Sequence, residues 1–259
     1  MLPFFRRIRQ QLFKEKKLSN YLFYALGEIV LVVIGILLAL QLNTWNAARQ
    51  DAISEEIYLK RIADDINNQL VPLTDYISSL EVSAKEAVQV LDEFKVKGSM
   101  SQVDSINFRL QKMMKTRTFP VVNSTFLELN SSGQMQLIQN KALRSNLIRY
   151  YQQNEEWSET IRHNLTDVIY KEAFPVITGT AILDVSQFNT VVKLDFEKLD
   201  YPVFLKNYQK EKLDDPETVL QLVKAINLYI LVSYRNKGLM EEAKAEAEKL
   251  LDQIELYQK

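Results

Sequence analysis

The chain has 259 residues, 47% of them hydrophobic and 25% charged, with a formal net charge of −1. Those proportions suit a folded protein rather than a disordered tail, and six Gly and six Pro in that length favour long, seldom interrupted helices. The absence of Cys excludes disulfides, thiolate metal sites and cysteine nucleophiles, and the single histidine, His163, excludes multi-histidine metal centres.

Charge is unevenly spread. Within residues 1–20, Arg6, Arg7, Arg9, Lys14, Lys16 and Lys17 stand against Glu15, a net of +5. With Glu28 set aside, residues 43–259 carry −5. Phe4, Phe5, Ile8, Leu12 and Phe13 interleave with the basic residues at helical spacing. Residues 3–17 therefore read either as an amphipathic helix on a membrane surface or as a flexible basic anchor.

Residues 21–42 carry one formal charge, Glu28. A helix of that length covers roughly 33 Å, enough for the hydrocarbon core of a bilayer. Tyr21 and Tyr24 at its start and Trp45 after it suit the aromatic belts at the two interfaces. Positive charge beside a span stays on the cytoplasmic side, so the head is expected inside and the body outside. A cleaved signal peptide fits less well, because the apolar run is long and Asn43-Thr44-Trp45-Asn46 supplies no small-x-small site. Since the span already explains the basic head, lipid rather than nucleic acid is the expected partner.

In the body, Ile62, Ile66, Leu70, Leu73, Ile77, Leu80, Ala84, Val88, Leu91 and Phe94 recur in steps of three and four, predicting a stalk helix over residues 47–94. Pro72 predicts a kink or break near Val71, and Gly98 an end. Ser101 is the expected cap of a short helix bearing Val103, Ile106, Leu110 and Met113, which Phe119-Pro120 stops. Asn123-Ser124-Thr125 caps another turn, and Gly133 suits its left-handed exit. A long helix starts at Asn140 and ends at Pro175 and Gly179. Residues 176–213 lack helical period and read as a crossover loop, with or without short strands. Asp215-Pro216-Glu217 is a helix start, and Asn236 with Gly238 predicts a turn, making residues 215–257 a helical hairpin with some likeness to a single tetratricopeptide unit.

The stretch FFRRIRQQL followed by YLFYALGEIVLVVIGILLALQLNTWN closely resembles the head of a bacterial family known as domain of unknown function 6090. NSTFLELNSSGQMQLIQNKALRSNLIRYY is similar to that family's second recurrent block. The resemblance implies a single-pass inner-membrane protein with a mostly helical body, and it implies no activity.

Chemistry is sparse. A charge deep in a bilayer costs about 2.5–3.5 kcal/mol on insertion scales, so Glu28 needs relief by protonation, by the interface or by a partner. Tyr24 lies one turn before it, and Gly35 and Ala39 are a small-xxx-small pair on the same stripe. These four are candidates for packing against another membrane helix, from a second copy or a partner protein. His163 reads as a surface or packing residue, and no nucleophile elbow, P-loop or dinucleotide fingerprint occurs. Asp64 with Asp65 reads as a solvated face, and Asp214 with Asp215 as a cap. Tyr150, Tyr151, Trp157 and Tyr170 form either core or the wall of a ligand pocket.

The sequence thus predicts an all-α protein: one N-terminal transmembrane helix, then an elongated antiparallel helical bundle. It predicts no catalytic residue, cofactor or metal. The expected role is a helical interaction or scaffolding domain in the periplasm, with a ligand-sensing or accessory module as the alternative.

Overall fold

The computed structural model of the protein describes residues 18–183 and 201–259, and among these there is no strand. The basic residues Arg6, Arg7, Arg9, Lys14, Lys16 and Lys17 lie outside the described residues. The chain divides into two units, Met1–Ile57 and Tyr58–Lys259. Helix α1, Leu18–Lys97, contributes to both.

In the first unit, α1 holds a segment long and apolar enough to cross a membrane, with a mean hydropathy of 2.5 over its most apolar window. All fourteen Leu, Ile, Val and Phe side chains between positions 22 and 42 are exposed. Leaving such side chains in water forgoes about 1.5–3 kcal/mol each. A soluble core helix would have buried them.

The second unit is a helical bundle. After α1 come α2 (Ile106–Lys112), α3 (Ser124–Ser131), a 3-10 turn (Gln134–Leu137) and α4 (Lys141–His163). Helix α4 continues as a π-helical segment, Asn164–Ala173, into α5 (Phe174–Thr178). Helix α6 (Val203–Asp214) leads to the 43-residue α7 (Pro216–Gln258).

Two buried clusters set the register. One joins Leu59, Ile62 and Ile66 of α1 to Leu143 and Leu147 of α4 and Leu250 and Ile254 of α7. The other joins Leu73, Leu80 and Val90 to Trp157 and Ile161 and to Leu222, Ile226 and Tyr229. Positions rise together along α1 and α4 and fall along α7. Helix α7 is thus antiparallel to both, while α1 and α4 run in the same direction, because residues 98–140 carry the chain back between them.

Several local expectations hold. Gly98 (φ 69°) closes α1, its N–H bonding Phe94 O at 2.8 Å. Gly133 (φ 70°) exits α3. Asn140 Oδ1 accepts from the backbone N–H of Ala142 and Leu143, and Asp215 caps α7 through Thr218 N, with Pro216 at the first helical position.

Others are corrected. Of the kink or break expected near Val71, the break does not occur: Pro72 lies inside α1. The ring removes one hydrogen bond, but Ile66, Gln69 and Leu73 are fully buried around it, and tertiary packing outweighs the local loss. Ser101 does not cap α2: residue Ser105 stands there (φ 52°), and Ser101 instead bonds Asp214. Part of the expected crossover loop is helix α6; residues 184–200 lie outside the described residues. The hairpin over 215–257 does not exist, because α7 is one helix through Asn236 and Gly238. Asn236 is buried and paired with Asn164, so its polarity is satisfied inside the bundle rather than in a turn.

Candidate functional site

Tyr24, Glu28, Gly35 and Ala39 all lie on α1 within the apolar segment. At about 100° per residue they span an arc of roughly 60° on one side of the helix. Glu28, Gly35 and Ala39 are exposed and Tyr24 partly so, and a Cβ added at Gly35 would meet nothing within 4 Å. Trp45, just past the segment, is 61% exposed. This side of the helix is open to an approaching surface.

His163, at the end of α4, is exposed and its Nδ1 lies 3.0 Å from Asp167 Oδ2. Asp167 also accepts from Lys171, and the hydrogen bonds from Lys171 and His163 hold its carboxyl down at about 2. The group is a surface ion network on two helical turns.

The aromatic cluster is split. Tyr150, Tyr151 and Trp157 are buried, whereas Tyr170 is half-exposed and bonds Thr116 at 2.7 Å. Tyr150 and Trp157 border an open groove between α4 and α7, flanked by Arg149, Glu242, Glu246 and Lys249. Tyr151 belongs to a second cavity, of about 300 Å³, between the 121–127 segment and α4.

The surroundings of this second cavity are polar where the sequence suggested core. Gln69 of α1 donates through Nε2 to Pro120 O at 2.9 Å. That bond fixes its amide, so Oε1 faces α4 and accepts from Tyr150 Oη at 2.8 Å and from Asn154 Nδ2 at 3.4 Å. The Asn154 amide is thereby fixed too, and among the described residues its Oδ1 has no hydrogen-bond partner. The Tyr151 hydroxyl also has none. Both residues are at least 95% buried, and each unpaired atom costs about 1–3 kcal/mol. Burial pushes the Tyr150 hydroxyl up to about 12 and that of Tyr151 higher still, so both stay neutral. The Tyr151 ring is held by stacking on Phe126, centroids 4.3 Å apart.

Helix α3 presents Phe126 to this cavity because α1 caps it. Asp65 Oδ2 accepts from Thr125 N at 2.9 Å and from Ser124 Oγ at 3.2 Å. Asp65 is therefore a cap for a helix 59 residues further on, and only Asp64 is the solvated residue expected of the pair. Sequence reading missed Gln69 and Asn154. Each is a polar residue on an apolar stripe, between Ile66 and Leu73 and between Tyr150 and Trp157, and that interruption was the available signal.

Among the described residues the fold is all-α, with one segment long and apolar enough to cross a membrane and a separate helical body. Residues 28–156 match the model of DUF6090, a family of unknown function, and the chain belongs to that family. No curated protein and no solved structure matches it.

Proposed function

We propose that the chain is a single-pass protein of a bacterial inner membrane, with its basic head in the cytoplasm. It presents residues 43–259 on the periplasmic side as a non-enzymatic interaction or scaffolding domain. The observation that carries this reading is the exposure of all fourteen Leu, Ile, Val and Phe side chains of α1 between positions 22 and 42, an apolar surface that lipid would cover. The six basic residues of the head supply the orientation. A binding rather than catalytic role is supported by the lone histidine, which sits in a surface ion network.

The stripe of Tyr24, Glu28, Gly35 and Ala39 is the surface through which the span packs against another membrane helix, either a second copy or a partner protein. Close backbone approach at Gly35 and Ala39 brings the Glu28 carboxyl to a hydrogen-bonding group on the other helix.

Two measurements test this. A periplasm-active reporter fused after Lys259 is expected to give signal, and a cytoplasm-only signal overturns the orientation. The chain has no native Cys, so Gly35→Cys and Ala39→Cys are clean crosslinking probes. Crosslinks at these positions, lost in Glu28→Leu, are expected; equal crosslinking from Cys placed at Leu37 overturns the stripe.

A further inference from the structure

We propose that α1 pairs in parallel with α1 of a second copy of this chain, along one seam that leaves the membrane and continues through residues 46–57. The inference rests on the reading of α1 as a membrane span, and it selects the second copy over a partner protein as what the stripe meets.

The stripe does not end with the apolar segment. At about 100° per residue, Leu42, Asn46, Ile53 and Ile57 fall within the same arc of roughly 60° as Gly35 and Ala39. All four are exposed, Ile53 by 43% and Ile57 by 54%. Ile53 and Ile57 are the only large aliphatic side chains in residues 46–57, where every other residue is polar, charged or Ala. Lipid does not reach them, so only protein can take them out of water. The seam therefore asks for close backbone approach at Gly35 and Ala39 and for apolar burial at Ile53 and Ile57. A second copy inserted with the same topology changes from one to the other at the same height.

The spacing favours two parallel strands. Residues 28–55 make four heptads in which Val32, Ala39, Asn46 and Ile53 recur at one core position. At that position β-branched residues favour a dimer, and a single Asn fixes register and strand number. Asn is self-complementary, because the amide of each copy both donates to and accepts from that of the other. The alternate core position ends on Arg49, whose aliphatic stem lies along the seam while its guanidinium stays in water.

The test uses the full chain as the sole protein in phospholipid vesicles. It has no native Cys, so every disulfide-linked product of a single-Cys variant joins two copies. Ile53→Cys is expected to oxidise to dimer about tenfold faster than Asp51→Cys, which lies roughly 160° away around the helix. Energy transfer between dye-labelled copies is expected, and Ile53→Asp combined with Ile57→Asp, which sets like charges against each other, is expected to abolish it. Equal oxidation at positions 51 and 53 overturns the seam, as does energy transfer that survives the two Asp substitutions. No transfer between parent copies overturns the second copy as partner. In that event, cellular crosslinks from Gly35→Cys and Ala39→Cys to a protein of another size leave the membrane stripe standing; their loss as well removes both readings.

Discussion

Asn164 donates a 2.7 Å hydrogen bond from Nδ2 to Asn236 Oδ1, and both side chains are buried. The pair joins the start of the π-helical segment to the middle of α7, at the position where the sequence predicts a turn. Beyond Asn164, Leu165, Ile169, Ala173 and Ile177 are buried in steps of four. On a regular α-helix each such step rotates by about 40°. The wider turn of i→i+5 bonding offsets that rotation and keeps all four in the core.

Replacing one member of this pair strands the other. Asn236→Leu is expected to destabilise the protein by about 2–3 kcal/mol, since Asn164 keeps a buried, unpaired amide. The double replacement Asn164→Leu with Asn236→Leu is expected to recover part of the loss. A double-mutant cycle by chemical denaturation gives the coupling, and strict additivity would refute it.

Gly238 and Gly98 should respond oppositely to alanine. Gly238 is inside α7 with nothing within 4 Å of an added Cβ, so Gly238→Ala is expected to stabilise by about 0.5–1 kcal/mol. Gly98 has φ 69°, and Gly98→Ala is expected to cost about 1 kcal/mol or more. Melting curves of the two variants settle it; destabilisation at Gly238 would restore the turn.

Asp65→Ala removes a cap supplied from another helix. The expected loss is about 0.5–2 kcal/mol, with faster amide exchange at Thr125, whose N–H it holds. Asp64→Ala, on the exposed side, is expected to change neither. Equal effects at the two positions would remove the distinction between them.

Asp214 gives the 98–101 turn a pH dependence. Burial pushes its carboxyl up, but hydrogen bonds from Ser101, Ser99 and the Met100 backbone outweigh that and hold it below its ordinary 3.8. The unfolded chain therefore takes up the proton first as pH falls. The stabilisation is complete above 3.8 and is lost as pH drops from there through the folded value. Asp214→Asn is expected to flatten that part of the acid limb, read as melting temperature against pH. An acid limb identical to that of the parent chain would show that the turn makes no such contribution.

Much of the fold was legible because it follows from local chemistry. Asn140 and Asp215 cap their own helices through side chains two or three residues from the amides they bond. Gly98 and Gly133 end helices because only a residue without Cβ takes a positive φ cheaply. Where the sequence misled, a local rule lost to a distant partner. Pro72 and Gly238 are helix breakers held in helices by packing, and Asn236 is a turn residue satisfied by Asn164. The 123–125 cap is Asp65, which no window of neighbouring residues contains.

The same division separates the two candidate surfaces. Sequence by itself determined the apolar segment and its stripe, since length, hydropathy and helical spacing are properties of consecutive residues. Only tertiary structure decided the cavity at Tyr151 and Asn154. It also decided the parallel course of α1 and α4. Both depend on where Gln69 meets Tyr150, a contact between residues 81 apart, and on a chain of amides oriented from the Pro120 carbonyl. Hydrogen-bond donors and acceptors are written in the sequence, but which of them remain unpaired is settled only when the helices dock.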